Sequence, residues 1–231
     1  MGLLFIGIIF MVASLIAGWL LRSKFDEYAH IPLRSGLSGK DIAEKMLRDN
    51  GIYDVRVISV PGKLTDHYNP MDKTVNLSPE VYSGRSISSA AVAAHECGHA
   101  VQHATAYKWL DMRSKMVPAL NVSNGIMNFV FIGSMFLGGV FGGLFHWDTL
   151  ILIIIAAQTV ITVFSLVTLP VEFDATRRGL AWLNSTGLTV GEEHTKAVHA
   201  LRLAAMTYVI SALYALSTLI YFILRYLGNR D

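Results

Sequence analysis

The sequence predicts a polytopic membrane protein, mainly α-helical, with four transmembrane helices and a small α+β part beside them. Three observations carry that prediction. Only 16 % of the 231 residues are charged and 53 % are hydrophobic, whereas a soluble domain has about 25 % charged residues. The mean hydropathy is +0.46. The deficit is localised: Leu3–Leu21, Val122–Phe145, Leu150–Leu169 and Met206–Leu224 contain no Asp, Glu, Lys or Arg. Each run has about the 20 residues needed to cross a bilayer. The same facts exclude a secreted soluble protein, a disordered chain and a disulfide scaffold. A net charge of +2 without a dense basic stripe gives no footprint for nucleic acid.

The first run reads as an uncleaved anchor with its N-terminus outside. Signal peptides carry positive charge before the apolar stretch, whereas here Arg22 and Lys24 follow it. Thirteen Lys and Arg then lie between Arg22 and Lys115, and four between Glu172 and Ala205. The turn His146-Trp147-Asp148 holds none. Alternate crossing puts the two rich segments in the cytoplasm and the turn outside, as the positive-inside rule prefers. The tail arginines Arg225 and Arg230 would then lie outside, against the rule. The division expected is a membrane anchor over 1–22, a cytoplasmic part over 23–118, a membrane hairpin over 119–170, a second cytoplasmic segment over 171–205, and a last span with its tail over 206–231. Lone Cys97 fits a reducing compartment.

Within the first cytoplasmic part, Leu37–Asn50 reads as an amphipathic helix with Ile42, Met46 and Leu47 on one face, closed by Gly51. Tyr53–Val60 is β-rich. The segments Lys63–Tyr68 and Lys73–Leu77 read as short strands around the turn Asn69-Pro70-Met71-Asp72. Pro79 then separates them from a long helix expected from about Ser86 to Trp109.

That helix contains His95-Glu96-Cys97-Gly98-His99, an H-E-x-x-H pattern. Histidines at i and i+4 share a helical face, so both imidazoles can reach one zinc ion, and Glu96 is placed to act as general base. Small apolar residues flank the motif from Ala90 to Ala94 and at Ala100-Val101, as a buried metal-carrying helix needs. The expectation is therefore a zincin-like cytoplasmic part. A catalytic zinc needs a third protein ligand. Gln102 and Thr105 stand where a metzincin would have its glycine and third histidine, so that subclass is excluded. His103, one turn further along, cannot join the first two on a straight helix and reads as a supporting or surface residue. Asp66, His67, Glu172, Asp174, Glu192, Glu193, His194 and His199 are the other candidates, and Glu172 stands out because it follows the third span directly. His146, in the outer turn, is a membrane thickness away.

These residues resemble the YugP-like neutral zinc metallopeptidases of bacterial membranes. The resemblance rests on the N-terminal span, Leu64-Thr65-Asp66-His67-Tyr68, Ala93–Ala100 around the motif, Thr168-Leu169-Pro170-Val171-Glu172-Phe173-Asp174-Ala175, and Thr207-Tyr208. More distantly the layout is similar to the HtpX and CAAX-prenyl-endopeptidase group. The resemblance implies zinc held by His95, His99 and Glu172, with Glu96 as base, in the bacterial cytoplasmic (inner) membrane and facing the cytoplasm. Thr176 departs from the distant group, which has an Asp there to orient a histidine; Asp174 is the stand-in expected. His67, Tyr68, Arg177 and Tyr208 are the candidate oxyanion or substrate donors.

The function expected is hydrolysis of membrane or membrane-proximal polypeptides, with zinc as the cofactor and polypeptide and lipid bilayer as the partners. Analogy with HtpX suggests membrane quality control. The alternative is a non-enzymatic zinc-binding membrane scaffold or sensor. A metal transporter fits less well, because the spans lack His and carboxylates. Inside the spans, Ser134, Gly138 and Gly142, and Met135, Gly139 and Gly143, recur every fourth residue as in close helix contacts. Gln158 reads as an interhelical hydrogen bond. His194 and His199 read as solvated or hydrogen-bonded rather than as ligands.

Overall fold

The computed structural model describes residues 2–144 and 147–228, with side chains at 137–144 left aside. Phe145, His146 and residues 229–231, with the packing at the glycines of the small-residue repeat, therefore lie outside what is described. The order is α1 (Gly2–Ala29), α2 (Gly39–Asp49), β1 (Arg56–Ser59), β2 (His67–Asn69), β3 (Thr74–Leu77), α3 (Pro79–Ser83), α4 (Ile87–Ala104), α5 (Lys108–Leu144), α6 (Trp147–Ser185) and α7 (Glu192–Leu227). Among the described residues, α1, α5, α6 and α7 are the helices long and apolar enough to cross a membrane.

These four helices are longer than the charge-free runs. The third run ends at Leu169 but α6 continues to Ser185, because leaving hydrocarbon changes the favoured side chains and not the backbone hydrogen bonding. Glu172 therefore sits inside a helix. Pro118 and Pro170 stand inside α5 and α6, where each removes one backbone donor.

The chain divides into two compact units. One comprises Met1–Leu15, Met112–Leu169 and Tyr208–Asp231. In it Gln158 Nε2 donates to the Ala215 carbonyl at 3.0 Å, and Thr162 Oγ1 donates to the same oxygen at 3.1 Å. This is the interhelical bond expected of Gln158. Ile151, Ile154, Ala157, Ala212 and Ala215 of this unit are buried, while Leu4, Phe5, Ile9 and Leu15 of α1 are exposed, as lipid-facing side chains are.

The other unit comprises Ile16–Asp111 and Pro170–Thr207. Its sheet has the order β1-β3-β2, with β3 parallel to β1 and antiparallel to β2. Ser38 caps α2 through a capping box with Asp41, and Gly51 follows the helix at φ +70°, the left-handed conformation that glycine supplies at least cost. Ile42, Met46 and Leu47 of α2, Val75 and Leu77 of β3, Ala90, Ala93, Ala94, Cys97 and Val101 of α4, and Leu183 of α6 form one core. The expected helix to Trp109 is two helices: α4 stops at Ala104, Ala106 takes φ +50°, and α5 starts at Lys108. Pro79 opens the short α3 at its first turn, a position that needs no backbone donor.

Candidate metal centre

The site begins with α4. Ser86 caps it by accepting from the Ser89 backbone N–H, and its alanines fill a tight core, so His95 and His99 are carried on a buried, rigid helix. The side chains of α6 come against the same helix through two glycines. A Cβ on Gly98 would overlap the Ala175 carbonyl oxygen and stand 2.9 Å from its carbon. A Cβ on Gly179 would stand 2.7 Å from the Ala94 carbonyl oxygen. Each helix thus uses glycine where the other's backbone presses closest, as in small-residue helix crossings.

That approach brings Glu172 to the two histidines. His95 Nε2 lies 3.4 Å and His99 Nε2 3.7 Å from Glu172 Oε2, and the three ligand atoms all lie within 4.8 Å of one another. Zinc binds such atoms at about 2.0–2.2 Å, which at tetrahedral angles sets neighbouring ligands about 3.4 Å apart. The set fits zinc by donor type and by spacing. Three protein ligands also leave the fourth position open, as in catalytic sites.

The remaining nitrogens of the imidazoles are engaged elsewhere. His95 Nδ1 pairs with Thr176 Oγ1 at 3.1 Å, and His99 Nδ1 with Gln102 Oε1 at 3.0 Å. Gln102 Nε2 donates to the Val171 carbonyl at 2.8 Å and to Asp174 Oδ2 at 3.0 Å. Arg178 Nε also reaches Asp174 Oδ2, at 2.5 Å, and Arg177 pairs with Oδ1. Burial disfavours a protonated His99, but the Glu172 carboxylate, with Glu96 and Gln102, outweighs it and holds the imidazole above its ordinary pKa. Such a proton competes with a metal for the same nitrogen. Glu96 is buried, 8 % exposed. Cys97 is fully buried with its thiol against the Ala43 carbonyl at 3.5 Å, and burial pushes its pKa up, so it is an inert packing group.

The other sequence candidates have their own partners. Among the described residues the grouping of metal-type ligands is His95, His99 and Glu172. Asp66 accepts from the Ser78 backbone N–H at 2.7 Å and hydroxyl at 3.1 Å. His67 Nδ1 bonds the Thr65 carbonyl at 2.7 Å. His103 Nδ1 pairs with the Tyr68 hydroxyl at 2.8 Å, beside Asp54 and Lys73 in a cavity of about 220 Å³. Arg177 pairs with Asp174. His194 bonds Thr189 Oγ1 at 3.1 Å and His199 the Tyr28 hydroxyl at 2.8 Å, hydrogen-bonded as expected. Asp174 meets His99 only through Gln102, and Thr176, with a hydroxyl at the departing position, itself bonds His95.

Sequence reasoning passed over Gln102, Gly98 and Gly179. A signal existed: Ala94/Gly98 and Ala175/Gly179 are small pairs four apart, and Gln102 follows His99 by three, the spacing of neighbours on one helical face.

The family described as "Putative neutral zinc metallopeptidase" matches the chain over residues 3–227. The "Putative membrane protease YugP" of Bacillus subtilis (strain 168) is 38 % identical over 228 residues, covering 99 % of this chain and 98 % of that one. No solved structure matches. Matched over nearly its whole length by both the family and this relative, the chain belongs to the neutral zinc metallopeptidase family.

Proposed function

We propose that the protein is a membrane-bound zinc metallopeptidase that hydrolyses membrane or membrane-proximal polypeptides at the cytoplasmic face of the bacterial inner membrane. The observation that carries this reading is the convergence of His95, His99 and Glu172 ligand atoms within 4.8 Å, with Glu96 beside the first of them in the chain. The distribution of Lys and Arg around the spans supports the cytoplasmic face. The family's description and the relative's name support a polypeptide substrate.

Zinc in this set would polarise a peptide carbonyl and bring the pKa of bound water to about 7. The chain's own residues then move the proton and hold the geometry. Glu96 takes a proton from the attacking water as the new C–O bond forms. It returns that proton to the amide nitrogen as the C–N bond breaks, so one water is consumed and the carboxylate is restored. The glycines at the α4–α6 contact keep the ligands within reach of one ion.

Glu96→Gln tests the reading. Zinc content should stay at the wild-type level while cleavage of a polypeptide substrate in detergent or nanodiscs falls about 10²–10⁴-fold. Undiminished cleavage would remove Glu96 from the chemistry. Zinc held by a wild type that cleaves nothing its variant spares would favour the scaffold or sensor instead.

A further inference from the structure

The geometry points to Gln102 as the residue that sets the tautomer of His99 and ties that ligand to the helix segment carrying Glu172. This rests on the zinc-site reading and goes beyond it by assigning a positioning role that neither the motif nor the third ligand supplies.

Donors and acceptors fix the orientation of the Gln102 amide. Asp174 takes two guanidiniums, from Arg177 and Arg178, and so acts as a hydrogen-bond acceptor. The Val171 carbonyl can only accept. One nitrogen of Gln102 faces both, at 3.0 and 2.8 Å, and only the NH₂ end of an amide can donate to two acceptors. Its Oε1 must then be the atom 3.0 Å from His99 Nδ1. An amide oxygen cannot donate, so His99 Nδ1 carries a hydrogen, and in the neutral imidazole that a metal requires Nε2 keeps the lone pair. Nε2 is the atom facing Glu172, where a metal ligand is required. A proton relay is not involved; the chain Arg178–Asp174–Gln102–His99 fixes which end of each group points where.

Gln102 also acts on the third ligand. The carbonyl it holds is that of Val171, one residue before Glu172 and one after Pro170. Tyr107 reinforces this by donating to the Pro170 carbonyl at 3.4 Å. Gln102 is completely buried, so no water replaces these bonds cheaply. By contrast the partner of His95 is a hydroxyl, Thr176 Oγ1, which can donate or accept and so imposes no tautomer. Control of ligand orientation is therefore uneven, strong at His99 and weak at His95.

Two measurements on the full chain in detergent test this. In wild type loaded with zinc and carrying ¹⁵N-histidine, long-range ¹H–¹⁵N correlation should show His99 protonated at Nδ1 and metal-bound at Nε2. The opposite assignment would overturn the inference without any variant. Gln102→Met, close in volume but without an amide, should weaken zinc binding by about 10- to 100-fold in chelator competition and alter the visible spectrum of the Co²⁺-loaded protein. Thr176→Val should change both less. Wild-type zinc affinity and cobalt spectrum in a folded Gln102→Met would overturn the assignment while leaving the zinc site standing. A wild type that binds no zinc would instead overturn the reading beneath it.

Discussion

Two buried glutamines use the same bond to different ends. Gln158, in the apolar unit, donates its amide to the Ala215 carbonyl on the neighbouring helix at 3.0 Å. Gln102, in the other unit, donates its amide to the Val171 carbonyl on a neighbouring helix at 2.8 Å. Around Gln158 the further polar partner is Thr162, which shares the same carbonyl, so the cluster closes on itself and holds two helices together. Around Gln102 the bonds continue to Asp174 on one side and to an imidazole on the other. A polar group in an apolar core must be satisfied. What separates packing from function is whether that satisfaction ends on backbone or ends on an atom with a second valence to offer.

The comparison can be broken at the helix crossing first, where the effect is largest. Gly98→Ala puts a methyl group onto the Ala175 carbonyl and should cost about 1–3 kcal/mol of stability, the usual range for overpacking. Because the same contact sets the distance from His99 to Glu172, zinc affinity should fall with it. Chelator competition and thermal unfolding, followed by helical circular dichroism with and without zinc, read both effects. A Gly98→Ala protein with unchanged unfolding and zinc affinity would show that the contact does not position the ligands. The smallest effect belongs to the apolar unit. Gln158→Leu should cost about 1 kcal/mol or less, the typical worth of an interhelical hydrogen bond in a membrane, and leave zinc affinity at the wild-type value. Loss of zinc there would erase the distinction between the two glutamines.

Much of this architecture was legible in the chain. The charge-free runs mark the four long helices because hydrocarbon excludes charge, and the i, i+4 spacing of His95 and His99 puts them on one face. The α2 helix and its end at Gly51 follow from local apolar periodicity and left-handed glycine. What escaped was non-local or indifferent to hydropathy. The third run ends at Leu169, yet α6 runs to Ser185, since hydropathy marks where lipid ends and not where hydrogen bonding does. The break between α4 and α5 falls on Ala106 at φ +50°, where neither glycine nor proline announces it. Gly98 looks like an ordinary motif spacer until Ala175, far along the chain, is placed against it. Gln102 reads as a missing metzincin glycine, and its role needs Val171 and Asp174 from another helix. Asp174, the expected stand-in for a histidine-orienting carboxylate, is linked to His99 through the Gln102 amide, a connection that no spacing along the chain announces.

The central claim is that one zinc ion is held jointly by two helices through His95, His99 and Glu172. The most direct test is zinc per chain, by elemental mass spectrometry, on purified wild type, His99→Ala and Glu172→Ala. The account predicts about one zinc in wild type, as a three-ligand site with an open fourth position requires, and far less in both variants. Full occupancy in Glu172→Ala, or no zinc in a folded and reloaded wild type, would contradict it.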